Sequence, residues 1–247
     1  MTGNSIKLQV TLVRKFVDKF LYYAFKSFGH DYKSLKKINH RKDLQEIGAK
    51  NAGWVVSVSL IDSSSIVYCV GCGEDISFDI ALIDQFDCDV FAFDPTPKAV
   101  KHVEEVAGRN SKYHFQEIGL WEKKDEIKFY TPKNPKHVSH SFLNIQKTED
   151  YIIVHVNRLK NIMQEMGHTK IDLLKLDIEG AEYKVISTII EDNIDIKMIC
   201  VEYDECFHPL DDDYVLRIRA SVSSLLAKGY TLVCAQYGGN YTFVKDT

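Results

Sequence analysis

The chain has 247 residues, 45% of them hydrophobic, and a formal net charge of −4 at pH 7. This length and composition allow a substantial hydrophobic core, and the negative charge argues against general nucleic-acid binding, which depends on basic side chains. The charge is unevenly distributed, because residues 1–42 contain ten Lys or Arg against Asp18 and Asp31. We therefore expect an acidic body with a basic N-terminal extension.

The extension has a helical pattern. Apolar residues recur at every third or fourth position between residues 13 and 28, and basic residues lie largely on the other side. We divide the chain into a basic amphipathic extension, residues 1–45, and a domain, residues 46–247. We favour packing of this helix on the domain or on a second subunit, and an anionic membrane surface is the alternative partner. We expect a cytoplasmic protein, since no signal peptide or apolar run of spanning length is seen; the alternative places it peripherally on the inner membrane surface.

A strand, a glycine turn and a helix follow one another early in the domain. Residues 66–70 are an apolar run typical of a buried strand, Gly71 and Gly73 come next, and residues 76–86 have helical spacing. Glycine there tolerates a positive φ and lets a ligand lie against the backbone. Cys69 and Cys72 have C-x-x-C spacing, but we interpret them as buried apolar residues, because no second pair exists.

The next predicted strand, residues 89–94, ends in a carboxylate. Asp94 lies about 20 residues beyond the glycines, the position that holds ribose hydroxyls in nucleotide-binding sheets. The third glycine of the dinucleotide fingerprint is missing, because Ile76 and Ser77 stand in that region. The sequence therefore predicts a mononucleoside ligand rather than a dinucleotide.

Strands and helices continue to alternate to the end of the chain. A further buried strand spans residues 171–177, another spans residues 196–202, and a hairpin is expected around the glycines at 238 and 239. Alternation of this kind predicts a doubly wound, mainly parallel α/β sheet with an antiparallel C-terminal end. Carboxylates then follow several strand tips at one edge. Carboxylates placed close together repel each other, and this repulsion is offset when they bind hydroxyls, a cation or hydrogen-bond donors. We therefore interpret them as functional.

Several segments carry a resemblance to a known family. They are residues 67–78 (VYCVGCGEDISF), 93–98 (FDPTPK), 119–120 (GL), 137–141 (HVSHS), 171–182 (IDLLKLDIEGAE) and 201–202 (VE). Together they resemble the FkbM-type methyltransferases, which use S-adenosylmethionine, over roughly residues 50–245. The resemblance implies a seven-stranded Rossmann-like methyltransferase sheet and, as the expected reaction, O-methylation of a hydroxyl on a sugar, polysaccharide or other natural product. The expected partner is a small-molecule or glycan acceptor.

The resemblance also implies residue roles. Donor contacts are expected from Gly71, Gly73, Asp75, Asp94, Pro95, Thr96, Gly119, Leu120 and Asp177. Asp94 would hold the ribose hydroxyls, and Asp177 and Glu179 would face the sulfonium and the acceptor. As catalytic bases we favour Asp177 and Glu179, with His140 and His208 as further candidates.

Other readings remain open at this point. Asp177, Glu202, Asp204 and His208 could hold a divalent cation, although we do not expect a metal. A nicotinamide-dependent oxidoreductase is disfavoured by the missing third glycine and by the absence of an obvious Tyr-x-x-x-Lys pair. A nucleoside-binding interaction module that has lost catalysis is the third alternative.

Overall fold

A computed structural model describes residues 20, 34, 37–50, 52–131, 148–206, 209–236 and 239–246. Most of the predicted N-terminal helix lies outside these residues, and so do His140 and His208.

The described part of the chain forms a large sheet flanked by helices, with two smaller sheets. The strands are β1 (Leu44–Ile47), β2 (Trp54–Ser57), β3 (Ile66–Val70), β4 (Asp89–Phe93), β5 (Tyr113–Gln116), β6 (Gly119–Leu120), β7 (Asp125–Tyr130), β8 (Tyr151–Asn157), β9 (Ile171–Leu176), β10 (Ile196–Glu202), β11 (Thr231–Ala235) and β12 (Asn240–Val244). The helices are α1 (Ser77–Phe86), α2 (Pro97–Ala107), α3 (Leu159–Met166), α4 (Glu182–Glu191) and α5 (Tyr214–Ala227). Short 3-10 turns span Val58–Leu60 and Asp204–Cys206.

The large sheet has seven strands in the order β11-β12-β10-β9-β3-β4-β5. Strands β10, β9, β3, β4 and β5 are parallel, and β12 pairs antiparallel with both β10 and β11. This confirms the predicted doubly wound, mainly parallel sheet with an antiparallel C-terminal end. The chain moves from β3 through β4 to β5 in one direction and later from β9 to β10 in the other. The order therefore reverses between β3 and β9, where ligands of such sheets bind.

The sheet separates two apolar clusters. One cluster packs β3, β9 and β10 against α3, α4 and α5 through side chains such as Ile162, Val185 and Ile218. The other packs the opposite face against α1, α2 and the first hairpin through side chains such as Trp54, Leu82 and Val103. Because helices cover both faces, all six residues of β9 are buried, as its almost continuous apolar sequence predicts.

Two small sheets differ from the sequence-based description. Strands β1 and β2 form an antiparallel hairpin, and the predicted boundary after residue 45 falls inside β1. Residues just before β1 also contact the domain, since the Asn39 N–H donates to the Leu232 carbonyl and Arg41 pairs with Asp43 and Asp246. Strands β6, β8 and β7 form a separate three-stranded sheet beside the large one. Among the described residues, no helix has the length and apolar character needed to span a membrane.

Candidate functional site

A cavity of about 290 Å³ opens where the strand order reverses, at the carboxyl ends of the parallel strands. Backbone from the glycine turn forms part of its wall, and apolar side chains such as Trp54 of β2, Val70 of β3 and Phe93 of β4 form another part. The described residues that line it are Ala52, Trp54, Val70, Gly71, Cys72, Gly73, Glu74, Asp75, Phe93, Asp94, Pro95, Thr96, Gly119, Leu120, Phe129, Lys175, Asp177, Ile178, Glu179, Glu202 and Asn240. Six of these carry a carboxyl group and one is basic, so the cavity favours cationic or hydroxyl-bearing ligands over anionic ones.

Gly71 has no room for a side chain. Its φ is +86°, and a Cβ built on it would lie 1.8 Å from the Asp177 carbonyl oxygen. The Gly71 N–H donates to the Phe93 carbonyl at 2.9 Å, and the Asp177 N–H donates to the Val70 carbonyl at 3.1 Å. The glycine turn is therefore held between the ends of β4 and β9, and the close approach places the Asp177 side chain beside the turn.

Asp94 fixes the shape of the glycine turn from the end of β4. One carboxylate oxygen accepts the N–H groups of Cys72 and Gly73 at 2.8 and 3.0 Å. The other accepts the N–H and hydroxyl of Thr96 at 2.8 and 2.6 Å. A carboxylate has about four acceptor positions, and these four bonds use all of them. Two N–H groups of the turn thus point to Asp94, which leaves them engaged where a phosphate-binding loop would offer them to a ligand.

Lys175 connects the glycine turn to Asp177, which with Glu179 and Glu202 forms what we call the acidic end of the cavity. This side chain interrupts the apolar run of β9 and is almost fully buried. Its Nζ donates to the Gly71 carbonyl at 2.5 Å and lies 3.2 Å from the Asp177 carboxylate. Burial acts to lower the pKa of Lys175, but the charges of Asp177 and Asp79 outweigh it and the pKa is raised above its ordinary value. Lys175 is therefore a fixed cation rather than a proton acceptor.

Asp177 and Glu202 form a carboxyl pair at the tips of β9 and β10. The register of the two strands pairs Leu176 with Val201, so the residues that follow lie side by side. Burial, and then the nearby charge of Asp177, raise the pKa of Glu202 to about 9. Strand β12 lies on the other side of Glu202 and contributes Asn240. The side-chain carbonyl of Asn240 is buried and has no hydrogen-bond partner among the described residues. The acidic end therefore presents acceptor atoms together with one carboxyl proton at neutral pH.

Glu182 shapes the loop that carries Asp177 and Glu179. It is fully buried, and its carboxyl group accepts the N–H groups of Ile178 at 3.3 Å and Gly180 at 3.0 Å. Behind the loop it meets the buried carboxyl group of Asp204. Burial raises the pKa of Glu182 to about 6 and, with the charge of Glu182, raises that of Asp204 well above its ordinary value. Burial and mutual repulsion thus favour a protonation state in which at least one of the two carboxyl groups is neutral.

The structure brings the sequence-predicted donor residues to one cavity. Gly71, Gly73, Asp75, Asp94, Pro95, Thr96, Gly119, Leu120, Asp177 and Glu179 all line it. Asp75 also accepts the Ser77 N–H at 2.8 Å at the start of α1. Sequence reasoning gave no role to Trp54, Phe129, Lys175 and Asn240, of which only Lys175 carried a signal, as a charged residue inside an apolar strand.

The predicted metal alternative is not assembled by the described residues. Asp177 and Glu202 line the cavity, but Asp204 does not; its carboxyl group faces Glu182. His208 lies outside the described residues. Within the part of the chain that the structure describes, no group of three or more His, Cys, Asp or Glu side chains is arranged to hold a metal ion.

The C-x-x-C thiols are packed into the apolar cluster beneath the turn. Cys69 and Cys72 are buried and unpaired, and burial, followed by the charge of Asp79, raises the pKa of both thiols well above the ordinary value. Since the thiolate is the reactive form, this environment opposes redox or metal chemistry.

Comparison with protein families assigns the fold to a known group. Residues 70–232 match the model of the methyltransferase FkbM domain. The chain belongs to this FkbM family. Among curated proteins, this FkbM chain is 29% identical over 129 residues to the human protein named Probable methyltransferase-like protein 24, and 28% identical to the rat protein of the same name. The matched part is 52% of this chain and 29% of each relative, so the chain matches less than a third of their length.

Two of the solved structures to which the chain is similar are named methyltransferases. The methyltransferase FkbM of Methylobacillus flagellatus KT aligns with a TM-score of 0.48 and 12% identity over 74% of this chain and 44% of its own. Precorrin-6y C5,15-methyltransferase of Geobacter metallireducens GS-15 aligns with a TM-score of 0.46 and 11% identity over 85% and 95% of the two chains.

Proposed function

We propose that this FkbM-family chain transfers the methyl group of S-adenosylmethionine to a hydroxyl of a sugar, polysaccharide or other natural product. The observation that carries the proposal is the composition of the cavity wall. Six carboxyl groups and a single lysine surround a space that joins the glycine turn to the tips of β9 and β10. Such a wall suits a cationic sulfonium and a neutral hydroxylic acceptor, and it opposes the two negative charges of a dinucleotide pyrophosphate.

The residues present fit this donor. The open side of Gly73 has no atom within 4 Å of a built Cβ, so a ligand can approach the backbone there. Phe93, Pro95 and Leu120 line the same cavity and offer apolar surface for a base. When bound, the donor supplies an activated methyl group. Contact of Asp94 with the ribose hydroxyls remains a prediction, because its oxygens already accept four hydrogen bonds from the chain.

The protein's own part in the reaction is positioning and proton transfer. The fixed glycine turn and the Lys175–Asp177 ion pair hold the wall rigid, which orients two reactants for in-line transfer. Asp177 and Glu179 are the candidate groups for taking the acceptor's proton, and a positioned base contributes about 10²–10⁴-fold. Since Lys175 is already engaged, the described cavity offers no free cation for a phosphorylated or carboxylated acceptor, and a neutral hydroxylic acceptor is preferred.

Calorimetry with three ligands tests the donor, and a labelled-donor assay tests the acceptor. We expect S-adenosylmethionine and S-adenosylhomocysteine to bind at micromolar concentration and NADH far more weakly. Binding of NADH without a response to either sulfur ligand would favour the oxidoreductase alternative. Transfer of label from S-adenosylmethionine to members of a panel of neutral sugars and polysaccharides would identify the acceptor, and preferred transfer to nucleotide-sugars would contradict the preference for a neutral acceptor. Donor binding without transfer to any hydroxylic compound would favour the interaction module.

A further inference from the structure

The carboxyl pair of Asp177 and Glu202 is built into the sheet rather than into a mobile surface. Both residues directly follow paired positions of two adjacent parallel strands, and both side chains line the cavity. The register sets the two residues next to each other at adjacent strand ends, and Asp177 contributes, after burial, to the raised pKa of Glu202. Two such groups this close hold one proton between them, because two ionised carboxylates side by side repel each other.

Charged groups face the pair from each neighbouring element. Lys175 lies beside Asp177 on β9, and Glu179 faces the pair from the loop after β9. The Glu182–Asp204 pair adds a more distant negative field from behind that loop. From β12, the neutral Asn240 is the register partner of Glu202. Within the described part of the chain, Lys175 is thus the one cation among several carboxyl groups that face the pair. A further positive charge brought into the cavity would favour loss of the proton held by the pair.

We propose that Asp177 and Glu202 act as one proton-sharing group that releases its proton when a sulfonium donor binds and regains one from the acceptor hydroxyl. This inference rests on the proposed function. A positive charge close to the pair favours its doubly ionised form, whereas the neutral thioether of the product does not. The pair's proton content then follows the charge on the donor sulfur.

The exchange balances over one turnover. On donor binding the pair loses its shared proton to solvent through the open cavity, and both carboxylates are ionised. On methyl transfer the acceptor oxygen forms a bond to the methyl carbon, the carbon–sulfur bond breaks, and its electron pair stays on sulfur. The pair takes up the hydroxyl proton and returns to its singly protonated state. The net proton therefore leaves the protein at the binding step rather than at the chemical step.

Proton release can be measured without knowing the acceptor. Calorimetric titrations of the full chain at pH 7.5, in HEPES and in Tris, report the protons released, because the two buffers have different ionisation enthalpies. We expect S-adenosylmethionine to release a large fraction of one proton and S-adenosylhomocysteine to release close to none. The affinity ratio of the two ligands should then rise by up to about tenfold per pH unit and level off near pH 9, where the free pair ionises.

Two variants locate the proton. Glu202→Gln keeps a hydrogen-bond donor beside Asp177 but has no proton to lose, so it should bind both ligands without release. Glu74→Gln removes a cavity carboxyl group outside the pair, and proton release should persist.

Equal proton release with both ligands in the wild-type chain, or persistent release in Glu202→Gln, would overturn the inference while leaving donor binding intact. Failure of both ligands to bind would overturn the proposed function and this inference together. If Glu202→Gln does not fold, the wild-type comparison still decides.

Discussion

Replacing Asp94 by Asn should loosen the glycine turn as well as weaken ligand binding. The four hydrogen bonds of Asp94 connect the N–H groups of Cys72 and Gly73 on one side to Thr96 on the other. An amide keeps one acceptor oxygen and replaces the other with a donor. If the oxygen stays on the turn, the amide NH₂ faces the Thr96 N–H, and that buried donor loses its partner.

The expected cost follows from the number and type of these bonds. Hydrogen bonds to a charged group contribute about 1.5–3 kcal/mol, and an unsatisfied buried donor costs about 1–3 kcal/mol. Since the Thr96 hydroxyl can rotate to accept from the amide, one bond is lost outright and the others lose their charge. We expect the free energy of unfolding to fall by about 3 kcal/mol, which corresponds to a decrease in Tm of roughly 6–12 °C for a chain of this size.

Binding should weaken together with stability. A loosened turn must be ordered again by the ligand, so the Kd for S-adenosylhomocysteine should rise by at least about tenfold, or about 1.4 kcal/mol. Differential scanning fluorimetry and calorimetry on the same preparation give both values. Thr96→Val is the matched control, because it removes only the hydroxyl bond to the charged Asp94 and should lower stability by about 1.5 kcal/mol. A wild-type Tm in Asp94→Asn with lost binding would refute the reasoning and assign Asp94 to ligand contact alone.

Three further changes test other parts of the chain. Asp177→Asn should lower Tm, because it takes the charged partner from the buried Lys175 ammonium, and at saturating donor it should lower turnover, once an acceptor is known, at least about 10²-fold; retained turnover would remove it from the catalytic candidates. Lys175→Met should lower Tm and weaken binding, since it leaves Asp177 and the Gly71 carbonyl without their cation; an unchanged Tm would contradict this. Deletion of residues 1–36 should alter Tm or oligomeric state in scattering measurements, whereas salt-sensitive binding of the intact chain to anionic vesicles would favour the membrane alternative.

The sequence predicts those parts of the fold that depend on the local order of apolar, glycine and acidic residues. The continuous apolar run of β9, the glycines after β3 and the carboxylate after β4 define a parallel sheet and its ligand-binding edge. The same patterns place Asp177 and Glu202 at one edge, because carboxyl ends of parallel strands meet there.

Local sequence patterns do not predict contacts between segments that are distant along the chain. Trp54 and Phe129 reach the cavity from a hairpin and a small sheet whose positions depend on tertiary packing. The four hydrogen bonds that Asp94 accepts depend on the positions of the glycine turn and Thr96 around it, which only the folded chain defines. Asp204 follows Glu202 by two residues, which suggested a shared site, but the 3-10 turn at Asp204–Cys206 directs its carboxyl group to Glu182 instead.

The Glu182–Asp204 pair should make the stability of the protein fall as pH rises. A carboxyl group whose pKa is raised by folding binds more protons in the native state than in the unfolded chain between the two pKa values. Stability therefore decreases with pH across that interval. For Glu182 the interval runs from about 4.5 to about 6, and Asp204 extends the effect in the same direction.

Glu182→Gln should remove much of this dependence. The glutamine carbonyl can accept the N–H groups of Ile178 and Gly180, and its NH₂ can donate permanently to Asp204, in place of the shared proton. Relative to wild type, the variant should gain about 2 kcal/mol of stability as the pH rises from 4 to 7, because the pKa of Glu182 is raised from 4.5 to about 6. Urea unfolding at four pH values measures this, with Glu104→Gln, an exposed substitution on α2, as the control. Parallel pH profiles for wild type and Glu182→Gln would show that the pair carries no shared proton. If the profiles converge at high pH instead, Glu182 would be ionised there at little free-energy cost, with its hydrogen bonds to the loop kept.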